Sequence, residues 1–201
     1  MKVAVLYSGG KDSTKAIEFC MQQGWEIAYL LSVKPNRKDC FLFHFATVEH
    51  TPVLADILGL RHMLIPCDVA DPQQEADLVK KVIEKNRVDA VVLGGTGLQE
   101  TQIRSIQEAL QPIGIKAFAA HQGEEHGSLF KEMIEEEYEI MITQVASDGL
   151  NTWLGKIITK ENFPFLAKES LQYGFHIGGE GGYFDSLTLD APFFKKKLER
   201  G

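Results

Sequence analysis

Residues 2–13 read KVAVLYSGGKDS, and this stretch decides the fold. Lys2–Tyr7 (KVAVLY) is a short apolar, β-branched run, the pattern of a strand buried on both faces. It stops at Ser8-Gly9-Gly10. From Asp12 the period becomes helical, with Ala16, Ile17, Phe19 and Cys20 on one face and Gly24 closing the helix.

Working outward, the same alternation repeats. Trp25–Val33 reads as a second strand, Glu49–Leu58 and Pro72–Asn86 as helices, and Arg61–Pro66 as a strand between them. Asp89–Gly94 is another buried strand and Gln99–Leu110 another helix. Ile115–Ala119 and Tyr138–Val145 read as the last parallel strands, flanking a helix over Ser128–Glu137. Such alternation predicts an α/β fold, a doubly wound and mainly parallel sheet with helices on both faces. After about Ser147 the texture changes: a helix over Asn162–Tyr173, Gly-rich turns, then an antiparallel-type strand at Tyr183–Leu189. The expected division is therefore a ligand-binding domain over 1–146 and a small C-terminal α+β cap over 147–201.

The 201 residues carry 28 acids against 21 bases, a formal net charge of −7. That balance argues against a general nucleic-acid binder, which needs a basic face. No apolar run approaches the ~20 residues of a membrane span. Met1-Lys2 runs straight into the first strand without a signal-peptide pattern, so a cytoplasmic location is expected. Cys20, Cys40 and Cys67 are too widely spaced for a paired zinc motif and are read as reduced, mostly buried thiols. Oligomeric state is not encoded in these features, and a homo-oligomer stays open.

In open parallel sheets, ligands bind beyond the carboxyl ends of the strands. Gly9 and Gly10 sit there, where backbone without Cβ atoms can turn N–H groups onto an anion at a helix start. Ser8 and Ser13 add hydroxyls, Lys11 a charge, and Asp12 a contact for Mg²⁺. The loop is neither a P-loop nor a dinucleotide fingerprint, because no glycine precedes Gly9 and G-x-G-x-x-G is absent. A plain Gly-Gly turn would have little reason to gather these side chains, and an ATP-binding loop is the reading adopted.

S-G-G-K-D-S after an N-terminal strand resembles the signature of the N-type ATP pyrophosphatases, whose fold is adenine nucleotide alpha hydrolase-like. The resemblance implies cleavage of ATP between the α- and β-phosphates, with a carboxyl or carbonyl oxygen activated as an adenylate. Phe43-His44, Gln102, Arg104, Asp148-Gly149-Leu150 with Trp153-Leu154-Gly155, and Gly178–Phe194 (GGEGGYFDSLTLDAPFF) then recur in order. Together with the loop they resemble the diphthine–ammonia ligases over essentially the full length. The resemblance implies amidation of diphthine, a modified histidine of elongation factor 2, by ammonia, with release of AMP and pyrophosphate. Tyr183 and Asp185-Ser186 depart from the pattern usual in that family, as does Gly94–Gln99.

On this reading Lys11, Asp12 and Glu180 are the catalytic candidates, with Asp12 on the metal. Ser8, Gly9, Gly10, Lys11, Asp12 and Ser13 hold ATP, joined by Leu31, Ser32 and Gly94 at neighbouring strand ends; Leu31 and Ser32 are placed near adenine by fold analogy alone. His44, Gln102, Arg104, Asp148, Gly178, Gly179 and Glu180 are the substrate-binding candidates. His44 is equally well read as a core histidine and Gly94 as a turn glycine, whereas for Arg104 and Asp148 the site reading is favoured over an exposed helix residue and a turn residue. Trp153 is read as packing. Three alternatives stand beside the ligase: adenylation of another carboxylate or carbonyl substrate, a non-catalytic ATP/AMP-sensing domain, and a tRNA-thiolating enzyme. The acidic charge and the absence of C-x-x-C disfavour the last.

Overall fold

The computed structural model describes residues 1–43 and 47–199. The first sheet is parallel, built from β1 (Lys2–Leu6), β2 (Glu26–Pro35), β3 (His62–Cys67), β4 (Ala90–Leu93) and β5 (Lys116–Ala119) in the order β3-β2-β1-β4-β5. Val3 stands opposite Ile27 on one side and Ala90 on the other. The central strands are apolar along their length because both faces are covered, and β4 is buried at all four residues.

Helices α1 (Lys11–Gln22) and α2 (Thr51–Leu58) cover one face, where Ala16, Ile17, Cys20, Leu54 and Ile57 meet Val3, Val5 and Val92. On the other, α3 (Pro72–Lys85) and α4 (Glu100–Leu110) bring Ala76, Val79, Ile83, Ile106 and Leu110 against Ala4, Leu6 and Val91. This is the doubly wound arrangement expected. α1 has Gly10 as its N-cap and ends before Gly24, whose φ of +67° favours glycine. The order in which strands are added reverses between β1 and β4, so the crevice at their carboxyl ends is the topological switch point.

The second sheet is antiparallel. It follows α5 (His126–Glu135) and consists of β6 (Glu139–Val145), β7 (Ile157–Ile158) and β8 (Phe184–Asp190) in the order β7-β6-β8, with α6 (Phe163–Tyr173) inserted before β8. This corrects the expectation that Tyr138–Val145 closes the parallel sheet. β6 is antiparallel to both its neighbours, pairing Ile140 with Ile158 and with Thr188. Its burial alternates, with Ile140 and Ile142 inside and their neighbours half-exposed, as suits a strand covered on one face. The sheets therefore change before the textural change near Ser147, and the expected 146/147 division falls inside the antiparallel sheet.

The two sheets share packing. Leu187 and Leu189 of β8 join the core beneath α1, while Phe130, Tyr138, Leu150 and Trp153 centre a separate cluster. No helix among the described residues is long and apolar enough to cross a membrane.

Candidate active site

The turn from β1 to α1 is shaped from both sides. Gly9 has φ +82° and its carbonyl accepts from Thr188 N at 2.9 Å. Gly10 is extended, and a Cβ there would stand 3.1 Å from the Ser186 carbonyl oxygen. The backbone N–H of Lys11 reaches Ser186 Oγ at 3.3 Å, so β8 grips the loop through alternate residues. Thr47 Oγ1 donates to Ser8 O at 2.7 Å, and the Ser8 and Ser13 hydroxyls lie 3.1 Å apart. The first turn of α1 contributes N–H groups with no intrahelical acceptor, at the positive end of the helix.

Gly94, at the end of β4, explains how the crevice closes. A Cβ on it would lie 2.5 Å from the Asp12 carbonyl carbon and from Ser13 N. Only a glycine lets the strand end meet the helix start at that separation.

Beneath the loop lies a charged cluster. Lys11 is 3% exposed; its Nζ is 2.7 Å from Asp12 Oδ2 and 3.3 Å from His126 Nε2. His126 Nε2 is 2.7 Å from Asp12 Oδ1. Its Nδ1 stands 2.9 Å from Glu180 Oε1, at ion-pair distance but not aligned for a hydrogen bond. The rings of Phe130 and Phe184 lie 5.5 and 5.9 Å from Lys11 Nζ, screening the ammonium from water. The pieces come from distant segments: α1, the first residue of α5, and the glycine run before β8. Glu125 caps α5 by accepting from Gly127 N and Ser128 N, which fixes His126 at its start. Gly178 lets the chain pass over the imidazole, because a Cβ there would be 2.9 Å from His126 Cγ.

Burial works against the Asp12 charge, but Lys11 and His126 outweigh it and hold the carboxyl well below the usual carboxylate range. Burial likewise opposes a charged His126, yet the contacts with Asp12 and Glu180 prevail and raise its pKa above the ordinary value. The site thus gathers charges of both signs at the mouth of the glycine turn. Asp12, His126 and Glu180 also place one ligand atom each within 4.8 Å of one another. Two carboxylates beside a phosphate-type loop fit a hard divalent cation, which characteristically takes one or two carboxylates together with ligand phosphates.

A cleft of about 740 Å³ opens over the cluster, between the loop, the glycine run and the segments at 41–43 and 98–102. Ser8, Gly10, Lys11, Asp12, Ser13, Leu31 and Gly94 line it, with Gln102, Gly178, Gly179 and Glu180. Gly9 lies between Ser8 and Gly10 and shapes the turn. Gln102 spends its amide on the opposite wall, donating from Nε2 to Leu42 O at 2.5 Å. Ser32 is fully buried and faces the sheet, donating to Tyr7 O at 2.6 Å and meeting His62 Nε2 at 2.8 Å. Arg104 and Asp148 are both exposed and stand outside the cleft lining. Trp153 is buried, with its indole N–H on Glu169. His44 lies outside the described residues. The sequence did not single out His126 or Thr188, and Ser186 stood out only as a departure from the family pattern, not as a contact of the loop. His126 follows two glutamates at a helix start, a weak signal without the topology that faces it toward α1.

Fold and loop together define a class: doubly wound α/β proteins with a glycine turn at the first strand–helix junction whose geometry suits an anionic ligand, here under a C-terminal antiparallel sheet. Two family models, described as the diphthamide synthase N-terminal and C-terminal domains, match residues 1–117 and 125–200. The chain belongs to the diphthamide synthase family.

Among curated proteins, the diphthine–ammonia ligase of Homo sapiens is 28% identical over 221 residues, covering 98% of this chain and 82% of the human protein. That of Danio rerio is 28% identical over 220 residues, covering 98% and 86%. The Schizosaccharomyces pombe enzyme is 24% identical over 217 residues, covering 98% of this chain but 36% of its own length. A solved structure described as a predicted subunit of tRNA methyltransferase from Methanocaldococcus jannaschii aligns with a TM-score of 0.49 at 19% identity, over 74% of this chain and 81% of its own. That likeness is too slight to bear on function. The matched family domains meet between residues 117 and 125, in the interval where the two sheets part.

Proposed function

We propose that the chain is a diphthine–ammonia ligase, forming a C–N bond between ammonia and the carboxylate of diphthine at the expense of ATP. The observation that carries the reading is the partly buried Lys11–Asp12–His126–Glu180 cluster, set beneath the glycine turn in a chain of this family.

A carboxylate is a poor acyl donor, and transfer of AMP to it creates a good leaving group. The chemistry then rests on positioning and neutralisation of charge rather than on a nucleophilic side chain. The turn N–H groups and the Ser8 and Ser13 hydroxyls bind the ATP phosphates. Lys11 neutralises charge on the departing pyrophosphate. Asp12, with Glu180 beside it, would hold Mg²⁺, which would supply positive charge against the ATP phosphates. His126 keeps the two carboxylates together, 2.7 Å from Asp12 and 2.9 Å from Glu180, and adds its positive charge to that of Lys11. Glu180, at the mouth of the glycine run, takes a proton from ammonium, and the ammonia so freed attacks the acyl-adenylate carbonyl and displaces AMP. Leu31 flanks the adenine. The protein substrate is elongation factor 2 and the setting is the cytoplasm.

The test is incubation with ATP, Mg²⁺, ammonium and elongation factor 2 bearing diphthine. The expected result is AMP, together with a mass change on the factor equal to replacement of OH by NH₂. AMP formed with other carboxylates but never with the factor would move the chain to another acceptor. Nucleotide binding with no turnover on any acceptor would make it a sensor.

A further inference from the structure

Away from the cluster described above, two of the three cysteines meet although 27 residues separate them in sequence. Asn36 N donates to Cys67 O at 2.8 Å, drawing the segment that leaves β2 alongside the end of β3. Cys40 Sγ then lies 3.8 Å from Cys67 Sγ. The Val69 carbonyl oxygen is 3.3 Å from the first sulfur and 3.5 Å from the second. Glu75, in the first turn of α3, completes the group, with one ligand atom from each of Cys40, Cys67 and Glu75 within 4.8 Å of the others.

The geometry points to a binding site for a thiophilic divalent cation of the zinc class, held by Cys40, Cys67 and Glu75. Zinc–sulfur bonds of about 2.3 Å at the tetrahedral angle separate two sulfurs by about 3.8 Å, and a sulfur from an oxygen ligand by about 3.6 Å. The sulfur–sulfur distance found here has the first value, and the Glu75 oxygen lies within 4.8 Å of both sulfurs, a short side-chain movement from the second. A disulfide requires the sulfurs to approach to about 2 Å.

The electrostatics agree. Glu75 is fully buried, and its two oxygens accept from Phe41 N at 2.8 Å and Leu42 N at 2.7 Å. Each oxygen keeps a further lone pair. Among the described residues no side chain forms an ion pair with Glu75, and a buried carboxylate without a counter-charge is costly. A divalent cation bound by two thiolates supplies that counter-charge. It would tie the segment carrying Phe41 and Leu42, which lines the cleft, to β3 and α3. The site is independent of the ligase reading, because it lies outside the phosphate loop and none of its ligands touches the charged cluster.

The full chain, reduced with a phosphine and stripped with a chelator, is titrated with Co²⁺ as a spectroscopic stand-in and then with Zn²⁺. The expected result is thiolate-to-cobalt charge-transfer absorption saturating at one equivalent and bleached by zinc. Cys40→Ser and Cys67→Ser should each abolish it, and Cys20→Ser should retain it. Zinc should also raise the melting temperature of the wild type and of Cys20→Ser, but not of Cys40→Ser, since a ligand that binds only the folded state stabilises it by mass action. Three outcomes would overturn the site: no thiolate band in a reduced, folded protein, a band that survives both substitutions, or loss of two hydrogens in the intact mass without metal uptake. The last would assign the pair to a disulfide.

Discussion

Lys11 sits 3% exposed between a carboxylate and an imidazole, at the first residue of the helix that follows the turn. Removing it takes away charge stabilisation worth several kcal/mol in such sites, so Lys11→Ala should lower kcat by about two to three orders of magnitude. AMP release by the folded variant checks this. His126 makes a second prediction. Its replacement by alanine leaves Glu180 without its partner while Asp12 keeps Lys11, so the loss should fall near the low end for a broken buried pair, about 3 kcal/mol. Urea unfolding measures it. The pH dependence has two signs. His126 has a raised folded pKa, so its contribution is complete below its ordinary value of 6.5 and is lost as pH rises through the raised one. Asp12 has a depressed folded pKa, so its contribution is present above 3.8 and is lost as pH falls through the lower value. Stability measured across that window should show both limbs in the wild type, and His126→Ala should lack the alkaline one.

At the scale of elements, the site depends on a close approach between β4 and α1. Gly94→Ala would place a methyl 2.5 Å from the Asp12 carbonyl carbon, forcing the helix start away from the strand end. The expected cost is about 1–3 kcal/mol of stability, with weakened ATP binding, read by denaturation and nucleotide titration. The elements themselves were largely readable from periodicity. KVAVLY and DAVVLG are continuous apolar runs because both faces of β1 and β4 are covered, and α1 shows its buried face at Ala16, Ile17 and Cys20. β6 was readable as a strand but its direction was not: YEIMITQV carries alternation on one face, and only pairing with Thr188 and Ile158 decides its sheet. The loop was readable because its chemistry is contiguous. His126 and Ser186 were not, since they reach Lys11 from 115 and 175 residues away and no local pattern announces that meeting. The Cys40–Cys67 proximity was hidden for the same reason.

For the whole molecule, the cleft exists because two sheets close on one turn. β8 bonds the loop at Gly9 and Lys11, and α5 delivers His126. Lys15 reinforces the join: 2% exposed on α1, it pairs with Glu18 at 2.6 Å and with Glu136, beyond α5, at 2.5 Å. Burial opposes its charge, but those carboxylates hold the ammonium pKa above the usual value. Lys15→Met should lower stability by about 1–3 kcal/mol and raise the KM for ATP more than it lowers kcat, because it loosens the join without touching the reacting groups. Steady-state kinetics on the folded variant separate the two effects.

The central claim is that this cleft joins ammonia to diphthine by splitting ATP between its α- and β-phosphates. It is tested most directly with ¹⁵N-ammonium, ATP, Mg²⁺ and the diphthine-bearing factor, counting nucleotide products against label in the factor. The prediction is one AMP and one pyrophosphate for each ¹⁵N incorporated at the diphthine carboxyl, formed about two to three orders of magnitude more slowly by Lys11→Ala. ADP as the product, or AMP released without label in the factor, would contradict it.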